Sequence, residues 1–233
     1  MNVLKKVNGF RRAAMKQITK NIGLTILDEH IDLASRGEIR KVLICRPNHR
    51  LGNLLLITPL LQEVTETFPQ VKIDLFVKGS IAPTLFESYD NISHIIQLPK
   101  KPLKAFLKYL RGWTTIALNK YDLVINVVNN SSSGKLSARF ANSKYKFLGE
   151  INDDIRTRYP DHEHIAKYPV YSFRYFISKI GFAKPEKPVP SISLKLSSAE
   201  FAEGKRALEY LMNNYLMLRM QTPIRATTII VWV

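Results

Sequence analysis

Residues 41–77 read KVLICRPNHRLGNLLLITPLLQEVTETFPQVKIDLFV, and the order of patterns within them decides the fold. A compact apolar run, Lys41–Arg46, is followed by a polar loop containing Gly52. Apolar positions then recur at helical spacing over 53–68, and a second apolar run covers 71–77. Strand, loop, helix and strand in that order predict a right-handed crossover between parallel neighbours. Pro59 falls inside the helix, where its missing N–H kinks it or marks a restart.

The same rhythm continues outward. Runs at 94–98 (HIIQL), 122–128 (DLVINVV) and 145–149 (YKFLG) read as strands. Helical spacing covers 81–89, 102–118 and 132–141, and a further helix over 163–181 has Gly181 as its C-cap. The class is therefore α/β, a doubly wound parallel sheet with helices on both faces. Lys184–Pro190 reads as a linker, Ser197 and Ser198 cap a helix to about Leu216, and 226–233 (ATTIIVWV) is strand-like. Three parts are expected: a basic leader (1–39), the α/β domain (40–183), and a linker, helix and partial second domain (184–233).

Composition excludes several classes. At 45% hydrophobic and 23% charged, the chain is ordinary for a globular protein. Its single cysteine, Cys45, leaves no intramolecular disulfide and no multi-cysteine zinc site, and inside an apolar strand it reads as a buried, inert thiol. The longest apolar stretch, Leu54–Leu61, is far short of the roughly 20 residues that span a bilayer. No signal-peptide pattern follows the N-terminus, so a reducing cytosol is expected.

Lys and Arg number 35 against 19 acids, a net charge of +16. The excess is spread along the chain with two maxima. The first holds Lys5, Lys6, Arg11, Arg12, Lys16 and Lys20, and apolar residues recur between them at spacings of three and four. The second holds Lys100, Lys101, Lys104, Lys108 and Arg111, interleaved with Leu103, Phe106, Leu107 and Leu110. Both read as basic amphipathic helices suited to an anionic membrane surface. Packing of the apolar face on the chain's own domain is the competing reading, and it is favoured for the second. No helix-turn-helix, zinc-finger or aromatic RNA-binding signature is present, so no specific nucleic-acid partner is expected and a basic nucleic-acid-binding module is only a minor alternative.

In an open parallel sheet, ligands bind beyond the carboxyl ends of the strands at the topological switch point. That rule selects two loops. The first, Pro47-Asn48-His49-Arg50-Leu51-Gly52-Asn53, offers Asn48, His49 and Arg50 as donors and Gly52 as a place of close backbone approach. A glycine needed only for the turn is the alternative. The second, Asn129-Asn130-Ser131-Ser132-Ser133-Gly134-Lys135, is rich in hydroxyls and amides that suit a sugar or phosphate. Helix capping explains its serines equally well. His162 and His164 have a metal-ligand spacing, but no third ligand is visible and no metal is expected.

The first stretch resembles the N-terminal strand–loop–helix–strand of glycosyltransferase family 9, which includes the ADP-heptose:lipopolysaccharide heptosyltransferases. The likeness is to an R-x-x-x-x-G-D-x-L-x-x-T-P-x-L type signature followed by F-P. Gly52, Thr58, Pro59, Leu61, Phe68 and Pro69 fall in register. The stretch YDLVINVVNNSSSGKLSARFANSKYKFLGE is similar to the family's later strand, polar loop, helix and strand, so the likeness covers about residues 40–180.

The resemblance implies the N-terminal, Rossmann-like half of a GT-B fold, which holds the acceptor. It implies a lipid-linked saccharide acceptor at the cytoplasmic face of an inner membrane, inverting transfer without a metal, and no cofactor. A nucleotide-sugar donor of the ADP-heptose type would bind a C-terminal domain. It also implies substrate-binding roles for Asn48, Arg50, Gly52, Asn129, Ser131, Ser132, Ser133 and Lys135.

Two departures are informative. Family members carry an aspartate after the glycine as the proposed general base, and here Asn53 stands there. An amide orients a hydroxyl but cannot accept its proton, and His49 is the nearest substitute. Residues 217–233 do not resemble the family's continuation, which points to a truncated or frame-shifted product. A non-catalytic fragment or pseudoenzyme is thus the alternative to an active transferase.

Overall fold

The computed structural model describes residues 37–183 and 186–221. The basic leader, with Lys5, Lys6, Arg11, Arg12 and Lys16, and the strand-like run 226–233 lie outside the described residues. The chain divides into two units at Leu194/Lys195.

The first unit holds a five-stranded, all-parallel sheet in the order β3-β2-β1-β4-β5. Its strands are β1 (Lys41–Arg46), β2 (Lys72–Lys78), β3 (Ile92–Leu98), β4 (Lys120–Asn126) and β5 (Asn142–Phe147). Every pairing is parallel, with Val42 opposite Ile73 on one side of β1 and Leu123 on the other. Alternation of side chains divides the core between the two faces. Val42, Ile44, Ile73, Leu75, Leu123 and Ile125 pack on one. Leu43, Cys45, Phe76 and Val124 pack on the other.

Each face is covered by helices. The first receives α1 (Leu51–Leu55), α2 (Thr58–Thr67), α3 (Ala82–Leu85) and, further along the chain, α7 (Tyr168–Lys179). The second receives α4 (Phe106–Leu118) and α5 (Ser132–Phe140). A short helix, α6 (Asp153–Arg158), precedes α7 and is capped by the Asn152 side chain, which accepts from the Ile155 N–H at 3.0 Å. The second unit contains α8 (Ser198–Gln221), where Ser197 and Glu200 form a reciprocal capping box.

Several boundaries depart from the sequence reading for local reasons. The helix over 53–68 is two helices: it breaks after Leu55 and restarts with Pro59 in the first turn of α2. The helix over 81–89 shrinks to the single turn of α3, and the one over 102–118 opens with a 3₁₀ turn at Pro102–Lys104. Strands β4 and β5 begin two and three residues earlier than expected. At one end of β4, the Asp122 carboxylate accepts from the N–H groups of Arg40 and Lys41. At the other, the Asn126 amide donates to the Val128 and Leu148 carbonyls and turns the chain out of the sheet.

Helix α7 starts at Tyr168 rather than 163, because turns occupy 161–167 and carry His162 and His164. It ends as expected. Gly181 has φ +85°, and the Phe182 N–H bonds the Ile177 carbonyl while the Gly181 N–H bonds that of Ser178.

The stretch read as a linker is strapped to the first unit. Arg174, 2% exposed, pairs twice with buried Glu63 at 2.8 Å and donates to the carbonyls of Lys187 and Pro188. Gln62 and Tyr89 donate to the carbonyls of Ser191 and Ser193. A buried guanidinium needs several acceptors, and this strap supplies them.

Candidate functional site

The strand order reverses between β1 and β4, because the chain runs from β1 outward to β2 and β3, then re-enters at β4. Beyond their carboxyl ends, where the switch-point rule places a ligand, lie the two loops chosen from the sequence, 47–50 and 127–131.

The first loop is shaped by its own side chains. Asn48 accepts from the Arg50 N–H through Oδ1 at 2.9 Å, an Asx turn that uses one of its polar atoms. Arg50 is exposed at the entry to α1. His49 stands on the β2 side of the loop, where a Cβ on Gly79 would meet His49 Cβ at 3.0 Å. Asn53 is half-buried, and its carbonyl lies 3.5 Å from Arg46 Nε. Helix α1 has only five residues, so its N-terminus carries a much smaller field than the long helix read from the sequence.

Gly52 lacks the usual structural reasons for glycine. Its φ is not positive, and an added Cβ would find nothing within 4 Å. Neither the turn nor the packing of the described residues calls for a bare backbone here. Gly134 and Gly149 differ. A Cβ on Gly134 would collide with Asn126 Oδ1, and Gly149, at φ +80°, would put one 2.7 Å from the Asn126 carbonyl. Those two glycines make room for the amide that ends β4. Gly52 makes room for nothing among the described residues.

In the second loop, Ser131 accepts from the Gly134 N–H at 3.2 Å and caps α5, so its hydroxyl has structural work. Among the described residues, Ser132, Ser133 and Lys135 make no side-chain hydrogen bond. Asn129 donates its N–H to the Tyr168 hydroxyl at 3.0 Å, and that hydroxyl donates to the Val127 carbonyl. Burial pushes Tyr168 up to about 12, against the opposing pull of the Asn129 N–H and Arg46. A residue of α7 thus pins the loop.

Arg46 joins the two sides. It is the last residue of β1, 7% exposed, and among the described residues it has no carboxylate partner. Desolvation lowers its pKa from the ordinary value, opposed by the charge of Tyr168. A buried cation at the end of the switch-point strand, without a carboxylate partner, is a ready recipient for an anion. Sequence reasoning passed over it because it closes an apolar strand. The available signal was a lone basic residue ending such a run at the switch-point strand.

Lys104, Lys108 and Arg111 lie on or just before α4, away from these loops and on the other face. Cys45 is fully buried and desolvation pushes its thiol up to about 12, so it is inert. Among the described residues no three His, Cys, Asp or Glu side chains gather as a metal site, and no helix is long and apolar enough to cross a membrane.

The fold is an open, doubly wound α/β domain with two polar loops beyond the switch point of its sheet. No protein-family model matches the chain, and no curated protein does. Among solved structures it is similar to a glycosyl transferase family 9 protein from Veillonella parvula DSM 2008, with 18% identity and a TM-score of 0.45. That match covers 67% of this chain and 46% of the other. It is also similar to the E. coli heptosyltransferase WaaC with ADP-2-deoxy-2-fluoro heptose, with 15% identity, a TM-score of 0.43, and coverage of 68% and 55%. The chain spans about half the length of the solved structures it matches.

Proposed function

We propose that the chain is the acceptor-side domain of a family 9-type glycosyltransferase, binding a phosphorylated, lipid-linked saccharide of lipopolysaccharide type in the β1/β4 crevice. The observation that carries this reading is Gly52, a glycine for which the described residues have no internal use, just beyond the loop that leaves the switch-point strand. Arg46 would neutralise an acceptor phosphate or carboxylate. Ser132, Ser133 and Lys135 have free donors for sugar hydroxyls, while Asn48, Arg50 and Asn129 shape the loops around them. Ser131 contributes as a cap.

In the whole enzyme, an acceptor hydroxyl would attack the anomeric carbon of an ADP-heptose type donor held by a C-terminal domain. The new C–O bond would form as the nucleoside diphosphate leaves from the opposite face, inverting the centre. The hydroxyl proton needs a base; Asn53 cannot be it, and the His49 imidazole in the same loop would take the proton. That amide also favours a second reading, a saccharide-binding domain without transfer activity. The proposed place of work is the cytoplasmic face of an inner membrane.

Titration calorimetry with a phosphorylated lipopolysaccharide core saccharide tests the site. Gly52→Val should abolish binding while leaving the thermal midpoint within a few degrees, because its side chain would enter open space. Equal affinity of wild type and variant would remove the crevice as the binding place.

A further inference from the structure

Helix α4 and the turn before it hold apolar side chains out in water. Leu103 is 93% exposed, Leu107 82%, Phe106 56% and Leu110 42%. The spacing 103, 106, 107, 110 is that of a stripe that helices normally bury. Here a different stripe faces the sheet: Gly112 and Ile116 are buried, with Tyr109 and Trp113 packed beside them. Rotation cannot exchange the two. A Cβ on Gly112 would come within 2.7 Å of Leu98, and the Trp113 ring is wedged against Phe76 and Phe140 at 5.5 and 5.6 Å.

Charge identifies what covers the outer stripe. Lys100, Lys101, Lys104, Lys108 and Arg111 lie within or just before the same segment, all exposed, and the chain has no Asp or Glu between Asp90 and Asp122. Beside the stripe, a groove of about 990 Å³ between β3 and α4 is lined by His94, Lys108 and Arg111, along with Asp74. Asp74 is already engaged by His94 and Tyr121 at 3.0 Å. A second copy would bring the same cations to the same place and be repelled. An anionic bilayer offers apolar depth beneath a layer of phosphates.

We propose that the 102–111 segment docks on an anionic membrane, with Leu103, Phe106, Leu107 and Leu110 in the acyl boundary and the five cations at the headgroups. The proposal rests on exposed side chains and charge, and it is independent of the saccharide reading. Each cation near such a surface multiplies partitioning by about fivefold.

Co-sedimentation of the full chain with phosphatidylglycerol/phosphatidylcholine vesicles tests it. One variant carries Leu103→Ser, Phe106→Ser and Leu107→Ser, and another carries Lys104→Gln, Lys108→Gln and Arg111→Gln. Circular dichroism should be unchanged in both, since these side chains are exposed. Each variant should partition at least about tenfold more weakly than wild type. Unchanged partitioning of both would overturn the proposal, because docking would then lie elsewhere. Loss in the glutamine variant alone would also overturn it, since a purely ionic contact leaves the apolar stripe unused. So would a wild-type dimer in analytical ultracentrifugation that the serine variant dissolves.

Discussion

At the scale of single residues, the most telling positions are those with no partner. Arg46 is buried without a carboxylate among the described residues, an arrangement that costs stability unless an anion arrives. Arg46→Met should therefore raise the urea midpoint, by about 1 kcal/mol of stability, and weaken binding of the anionic saccharide at least tenfold. A variant that is destabilised would show that the guanidinium supports the fold instead. Asn53 is tested by restoring acidity. In a version extended by a donor domain, Asn53→Asp should raise transfer turnover if the position is a lost base. No gain would leave Asn53 an orienting amide.

At the scale of elements, the strap that follows α7 is anchored in the core by the buried Arg174–Glu63 pair, beside its ties to Gln62 and Tyr89. Glu63→Gln leaves the Arg174 guanidinium without its counter-charge, and about 3–5 kcal/mol of stability should be lost in urea unfolding. Lys187 sits at 4.0 Å from Glu63 and also reaches Glu66, but as a cation it cannot replace the missing counter-charge. This strap was not legible in the sequence. Its prolines and lysines have the composition of a linker, and nothing local announces that Arg174 and Glu63, 111 positions apart, need carbonyls from it. The strands were legible because apolar runs at the centre of a parallel sheet are continuous. Their ends were less so, because Asp122 and Asn126 set them through contacts distant in sequence. Helix α6 carries no apolar period in its six residues of mixed charge, and its signs are the Asn152 cap, the acids Asp153 and Asp154 in its first turn and the bases Arg156 and Arg158 in its last. For the site, both loops followed from the switch-point rule, while Arg46 was hidden within its strand.

At the scale of the whole molecule, buried acids with raised pKa values predict alkaline sensitivity. Cys45 rises from 9.0, and Tyr89 and Tyr168 from 10.0, each to about 12, with desolvation the largest cause. These groups stay protonated in the folded state where the unfolded chain releases its protons. Their contribution is intact below about pH 9 and is lost as pH climbs towards 12. Urea midpoints should be flat from pH 7 to 8.5 and fall steadily by pH 11, and a midpoint unchanged at pH 11 would contradict the burial described.

The sheet ends at β3 on one side and β5 on the other, and each pairs with a single described neighbour. An unpaired strand edge is a template for foreign chains, and its side chains decide how well it repels them. Along β5, Lys144 and Lys146 act as gatekeepers. Along β3, Ile92, Ile95 and Ile96 sit with no lysine among them. If heated protein clumps through cross-strand growth, β3 is where the first intermolecular ladder should form.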